Sequence, residues 1–394
     1  MIYWDWIGAF FYVFLGIVGY RCLKKVKQKE SFCQRKQKLN NRYYIIWFVV
    51  WLIATVFRVV SVDLGGSDAV NYVHYFNNCL EPIEYQNQYA VRADIGFRLI
   101  CKLIRLFTDD YHIFFFIVYG ICIYSTIYLF NEFAFSKNNA IPYILAFYIH
   151  LLGFSAIRTN LSMAFLFFAL VFLKKKKNFF CIVSSIVCLL IHKASIIYIA
   201  AIVFYKVYTK KEMKVKHIVQ WMIVTVLVGE VAQQFLLRFG NSLFDSGVYV
   251  KYVQASAAIS FFQDFWKLAL GQLLLLGSYV FLYRKIEKDI LTMNDEDIER
   301  YKLIKILCIY DFIMIPVCFM LNVWRGYQYF FFIRLIMWGE VFKVGTKLFK
   351  KDNRMFLHLI LTLIIIAYFV FRVGTMYKSS ALLPYIFDPF NKVR

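Results

Sequence analysis

Proline is scarce in this sequence, at five of 394 residues, and acidic charge is scarce too, with 24 Asp and Glu against 46 Lys and Arg. Glycine numbers 17, and no stretch is rich in Ser, Gly or Pro. Flexible linkers are therefore not expected, and the chain reads as one continuous domain, 1–394. The nine cysteines form no CxxC pair and no Cys/His cluster with metal spacing, so neither a metal nor another cofactor is expected. Cys79 and Cys101 fall in one polar region where an oxidising compartment would permit a disulfide, although free thiols are the favoured state. Walker A, HExxH and GxSxG patterns are missing, which argues against ATP-driven pumps, zinc proteases and serine hydrolases. The first apolar stretch, 2–20, lacks a basic leader and a small-residue cleavage site, and reads as a retained helix.

What is abundant is apolar. Hydrophobic residues make up 61% of the chain and aromatics 20%, with mean hydropathy +0.59. A soluble fold of this length would expose too much apolar surface, so the expected class is an all-α polytopic integral membrane protein. The net charge of +22 would suggest nucleic acid in a soluble protein. Here the basic residues gather in short loops between apolar spans, which is a topology signal, and no nucleic-acid partner is expected.

A helix needs about 20 apolar residues to cross the hydrocarbon core. That rule marks twelve segments: 2–20, 43–62, 111–130, 141–154, 161–173, 179–191, 194–205, 215–236, 265–283, 301–321, 329–344 and 355–373. The loops test the count independently. One face receives the basic stretches 21–42, 174–177, 206–214, 284–300 and 347–354, and is cytoplasmic by the positive-inside rule. The other receives the outer loops 63–110 and 237–264, with Asp63, Asp68, Glu81, Glu84, Asp94, Asp109, Asp110, Asp245 and Asp264. Both termini then lie on the outer side.

Two pairs of segments are too short to cross twice. Residues 178–205 give about 42 Å of helix and 141–173 about 50 Å, whereas two crossings need about 60 Å. Paired short hairpins over 141–205 are expected to turn back early and border a cavity open to the outer face, since broken membrane segments need protein or water to cover their backbone. Arg158 falls at the first tip and His192 with Lys193 at the second. Ionisable groups at membrane depth are costly and usually functional. Arginine offers a fixed fork of donors suited to phosphate oxygens, and histidine moves protons near neutrality. The competing reading is that Arg158 and Lys193 snorkel to headgroups while His192 satisfies a core hydrogen bond.

The 63–110 loop adds Asp63, Asp68, Tyr72, Tyr75 and Tyr89. Carboxylates accept hydroxyl hydrogen bonds and aromatic faces stack on sugars, so this set suits a carbohydrate, against the plainer reading of a solvated loop. Residues 96–107 are amphipathic, with Arg98, Lys102 and Arg105 spaced for one face beside membrane lipid phosphates. Farther on, NVWRGYQYFFFIR sets Arg325 and Tyr327 in a short outer turn, where Arg325 is a second phosphate contact. Arg334 lies at the depth of Asp311 in the preceding helix, which reads as a structural ion pair. Glu230 is a weaker candidate for cavity lining.

Taken in order, SDAVNYVHYF, IGFRLICKLI, IRTNLSMAFLFFAL, the Lys-rich turn leading to LLIHKASIIYI, and ALLPYIFDPF resemble the Wzy-type polysaccharide polymerases, especially their EpsG-like branch. The motifs are short, and their order and spacing over most of the chain carry the resemblance. Thr159 departs from it, since that family commonly has Gln after the arginine. The resemblance implies polymerisation of undecaprenyl-diphosphate-linked oligosaccharide repeats into a surface polysaccharide (O-antigen, capsule or exopolysaccharide) at the outer face of the bacterial cytoplasmic membrane. It implies Arg158 and Arg325 on the departing diphosphate, and His192 as base or acceptor contact. Asp68 or Asp94 would orient sugars or substitute as base, with Lys193, Tyr72, Arg98, Tyr327 and Asp63 as further substrate contacts. A chain-length regulator and a flippase of the same pathway are the implied partners. The alternatives are a lipid-linked oligosaccharide flippase, a membrane acyltransferase acting on glycans, and a purely structural assembly partner.

Overall fold

The computed structural model describes residues 68–81, 94–133, 156–208, 214–243, 295–321, 329–330 and 332–337, with isolated positions elsewhere. Every regular element among them is helical: α1 (Ala69–Asn77), α2 (Ile95–Arg105), α3 (Tyr111–Phe133), α4 (Ile157–Lys174), α5 (Asn178–Ile191), α6 (Ile196–Tyr208), α7 (Val215–Leu243), α8 (Asp295–Ile313) and α9 (Ile315–Met320). Three of these stretches, Tyr111–Phe133, Ile157–Lys174 and Lys216–Phe239, are long and apolar enough to cross a membrane. The expected spans over 2–20, 43–62, 141–154, 265–283 and 355–373 lie wholly or almost wholly outside the described residues, as do the loops 21–42 and 347–354. The chain divides into two compact units, Met1–Lys193 with Gly345–Arg394, and Ala194–Val344.

In the first unit α4 is central. Thirteen of its eighteen residues are buried, because α3 covers one side and α5 another. The α4–α5 hairpin closes at the lysine run. Lys177 N–H donates to the Phe172 carbonyl (2.9 Å) and Lys176 N–H to that of Leu173 (3.0 Å), with Lys176 left-handed at φ 58°. This is a helix-terminating Schellman turn. The Ser162 hydroxyl donates across the hairpin to the Cys188 carbonyl (2.9 Å), which fixes the antiparallel register and places the first turn of α4 opposite the end of α5. On α5, Cys181, Ser184, Cys188 and Ile191 face inward, while Phe179, Ile182, Val183, Ile186 and Leu190 are exposed. That is the split expected of a helix with one protein face and one lipid face.

Helix α3 runs parallel to α4. Glu132 near its end accepts from Lys174 (3.1 Å) and Lys175 (2.6 Å), and Lys175 also reaches the Tyr128 hydroxyl (2.8 Å). The lysine-rich end of all three helices is therefore one end of the unit. At the opposite end, about 27 Å away along α4, α1 and α2 pack on the start of α3 through Phe76–Phe114 (4.9 Å, stacked) and Phe97–Phe114 (6.2 Å).

The structure corrects three expected boundaries. The limb expected at 161–173 begins at Ile157, because the Ile-Arg-Thr-Asn turn joins the helix; Arg158 sits in a first helical turn and the segment is long enough to cross. The loop expected over 63–110 contains, besides the expected amphipathic helix, a further helix, α1. The loop expected over 284–300 ends earlier, since α8 begins at Asp295. The break expected between 191 and 194 is present: α5 ends at Ile191, His192 is extended (φ −153°, ψ 106°), and a 3₁₀ turn spans Lys193–Ser195.

In the second unit α7 packs along α8 and α9. Pro316 has no N–H to continue the ladder, so the helix breaks between α8 and α9, and the Thr225 hydroxyl donates to the Ile313 carbonyl there (2.9 Å). Tyr198 stacks on Tyr329 (4.1 Å). The expected Asp311–Arg334 pair forms with both carboxylate oxygens, at 2.5 and 2.9 Å, and is largely buried. Removing one partner strands a charge, at a cost of about 3–5 kcal/mol. Asp311→Ala is thus expected to lower the melting temperature by several degrees in detergent-solubilised protein followed by size exclusion, whereas the apolar double replacement Asp311→Leu with Arg334→Met should recover most of the loss.

Candidate functional site

At the end of the first unit opposite the lysine turn, four side chains converge. Asp94 precedes α2, Arg158 lies in the first turn of α4, and His192 with Lys193 follows α5. The Asp94 carboxylate lies 3.4 Å from His192 Nδ1, 4.0 Å from Arg158 Nη1 and 3.9 Å from Lys193 Nζ. Asp94 is 12% exposed, His192 19% and Arg158 21%, while Lys193 is 82% exposed. Three groups are thus mostly covered, and the lysine stands exposed at the edge of the cluster.

The placement of each is unusual for its helix. An aspartate at an N-cap ordinarily accepts from its own helix, worth about 0.5–2 kcal/mol. Asp110 does so before α3, accepting the His112 N–H at 2.8 Å. Asp94 occupies the same position before α2 and makes no side-chain cap bond; its carboxylate faces the cations instead. Arg158 sits at the positive end of the α4 dipole, where a cation is disfavoured by about 0.3–1 kcal/mol. Local helix energetics therefore account for neither residue; Arg158 is held first by Tyr72 and Tyr75 and then by Asp94, and Asp94 by the cations around it.

An aromatic wall holds the arginine. Arg158 Cζ stands 6.0 Å from the Tyr75 ring centre, and the Tyr72 side chain hydrogen-bonds the guanidinium. Tyr72 and Tyr75 are themselves wedged against Phe97 (5.8 and 6.2 Å). Both rings are buried, so Tyr72 braces Arg158 here and offers no open stacking face. On the next turn positions of α4, Thr159 Oγ1 and Asn160 Nδ2 are buried with no hydrogen-bond partner. Thr159 is the position where the sequence departs from the EpsG-like pattern.

Asp68 occupies the N-cap of α1, one turn before Tyr72, where its carbonyl accepts the Asn71 and Tyr72 amides. Arg98 follows Asp94 by one turn of α2, half-buried, with Nε buried and unpartnered. The expected exposed basic face of α2 is corrected: Arg105 pairs with Asp109 and lies over Phe76, leaving Lys102 as its exposed cation. The exposed stripe of that helix is Ile95, Leu99 and Leu103, continued by Leu106 and Phe107. Glu230 is exposed on α7 and accepts from Gln234 (3.1 Å). Asp63, Arg325, Tyr327 and Tyr89 lie outside the described residues. What spacing could not reveal is Gly96. A Cβ there would fall 2.7–2.9 Å from the backbone and Cβ of Leu190, so glycine alone lets α2 approach α5.

A family model described as the EpsG family matches residues 41–387. The chain belongs to the EpsG family. No curated protein and no solved structure matches it. The matched region contains Asp94, Arg158, His192, Lys193 and both bracing tyrosines, and EpsG-like proteins are Wzy-type polymerases.

Under this site Cys79 and Cys101 are buried free thiols, with no disulfide between them. Burial pushes both thiols up, Cys101 further, with Cys79 beside it adding to the effect. A raised thiol holds less thiolate at a given pH. Neither cysteine is therefore expected to react with maleimide at pH 8 in the intact protein, whereas both should react after denaturation in SDS, as read by mass shift of single-cysteine variants.

Proposed function

We propose that this EpsG-family protein polymerises undecaprenyl-diphosphate-linked oligosaccharide repeats into a surface polysaccharide at the outer face of a bacterial cytoplasmic membrane. The observation that carries the reading is the convergence of Arg158, His192 and Lys193 on Asp94 at one end of the bundle, about 27 Å from the lysine-rich turn. The positive-inside rule makes that turn cytoplasmic, and the site then opens on the opposite side.

The reaction needs a group that stabilises a departing diphosphate and one that receives the acceptor's proton. Arg158 supplies a permanent fork of donors, and two tyrosines hold it in place. Lys193 at the edge of the cluster adds a mobile charge, and Arg325 is proposed as a further contact. His192 takes the proton from the acceptor hydroxyl as its oxygen bonds to the sugar C1. The C1–O bond to phosphate breaks, and its electron pair leaves with undecaprenyl diphosphate. The donor carries its own activation, so no nucleotide is needed on that side.

Arg158→Ala and Arg158→Lys should both abolish long chains and leave single repeats on the lipid, because lysine cannot form the bidentate fork. His192→Gln should slow polymerisation by about 10²–10⁴-fold. The measurement is a gel of surface glycan from a deletion strain complemented with each gene, together with the sidedness of the accumulated lipid-linked repeat. A normal ladder from Arg158→Ala would reject the assignment, and repeats trapped on the cytoplasmic side would indicate a flippase.

A further inference from the structure

We infer that Asp94 and Gly96 are positioning residues for the His192 imidazole: the Asp94 carboxylate fixes its tautomer, and Gly96 sets the distance at which it does so. The inference deepens the polymerase reading and rests on it for its kinetic part. An ionised carboxylate accepts only, so the 3.4 Å contact between Asp94 Oδ2 and Nδ1 is a hydrogen bond when Nδ1 carries the proton, and that tautomer is the one it favours. Nε2 is then the basic nitrogen. Asp94 forgoes capping α2 to make this contact.

The reach depends on a matched pair of spacings. Gly96 follows Asp94 by two residues, and Leu190 precedes His192 by two. The backbone contact between them is the point about which the Asp94–His192 distance is set. A Cβ at Gly96 would meet the Leu190 carbonyl carbon, oxygen and Cβ at 2.7, 2.8 and 2.9 Å. Two of those atoms are backbone, so α2 must move away from α5. Among the described residues, the other charged groups beside this carboxylate are Arg158 and Lys193, with Tyr72 and Tyr75 against Arg158. Both cations stand farther from the carboxylate than Nδ1 does, so the imidazole loses most when α2 shifts.

In the proposed step the acceptor O–H breaks and its proton passes to Nε2, while O–C1 forms and C1–O(phosphate) breaks. The resulting imidazolium lies against the Asp94 carboxylate and later releases its proton to water. Without Asp94 the imidazole is free to carry its proton on Nε2, facing the acceptor with a donor where a base is needed.

The test uses full-length protein in lipid nanodiscs with ¹⁵N-labelled histidine; the chain has six histidines, and His192 is assigned by its loss in His192→Gln. Wild type should show the Nδ1–H form, and Asp94→Ala and Gly96→Ala a mixed population. With reconstituted lipid-linked repeats, each single variant should lower kcat by about 10-fold or more at nearly unchanged donor KM, and Asp94→Glu should restore part of it. The double variant should be no worse than Asp94→Ala, since both changes act through one contact. Losses that multiply, or an unchanged His192 tautomer in Asp94→Ala, would overturn the inference. The spectrum decides even where Gly96→Ala fails to fold. Because it needs no turnover, it also separates this inference from the polymerase reading, which Arg158→Ala tests.

Discussion

The antiparallel packing of α4 on α5 is the constraint on which the first unit's site depends. Neither helix carries the whole site: one begins with Arg158 and the other ends at His192, so they meet only if the hairpin is in register. Two features hold that register at its ends. At the lysine turn, the left-handed Lys176 and the Glu132 contacts close the hairpin and tie it to α3. Toward the other end, Ser162 bonds the Cys188 carbonyl within a buried seam. A slip of one residue along the seam would rotate Arg158 about 100° around α4, away from the tyrosines that brace it.

Given that register, α2 completes the cluster. Its approach is governed by the Gly96–Leu190 contact on one side and by Phe97 against Tyr72 and Tyr75 on the other. The same aromatic wedge therefore seats both α2, which brings Asp94, and α1, which braces Arg158. Rigid rings carry little conformational entropy to lose, and this is how a short polar region can hold ionised groups at fixed distances.

Much of this was legible in the sequence, and the illegible parts have physical causes. Hydropathy located α3, α4 and α7, because lipid demands long apolar runs. Charge placed the lysine turn at the end opposite the acidic loop. The structure of the first unit keeps those ends apart. The shortness of 178–205 exposed the break at His192, since helix length is fixed by residue count. Helix α1 was missed because AVNYVHYFN alternates polar and aromatic residues in a way that also suits a loop; tertiary burial of Tyr72, Tyr75 and Phe76 decides the matter. In the sequence Asp94 stands out only through the family resemblance, as an aspartate that would orient sugars or substitute as base; a role in positioning His192 is not legible there. Its importance comes from a bond it does not make, the N-cap, and from a glycine whose value lies in a clash that only three-dimensional packing defines.

The charge inventory of the cluster bears on what it can receive. Arg158 and Lys193 bring two positive charges and Asp94 one negative, so with neutral His192 the cluster carries a net charge of +1. A lone carboxylate shared among three partners at 3.4–4.0 Å is held by attraction without saturating any of them. Arg158 brings a guanidinium fork and Lys193 an ammonium, and Coulomb attraction in a partly covered site is several-fold stronger than in open water. On the proposed reading, a diphosphate arriving here meets the braced and mostly covered guanidinium of Arg158 and the mobile ammonium of Lys193, and need not displace the carboxylate that orients the imidazole. Asp94 then preserves the base while leaving the positive field that draws the donor in. Exchanging Asp94 for a neutral residue removes no donor from the site but frees the imidazole, so the change falls on the chemical step.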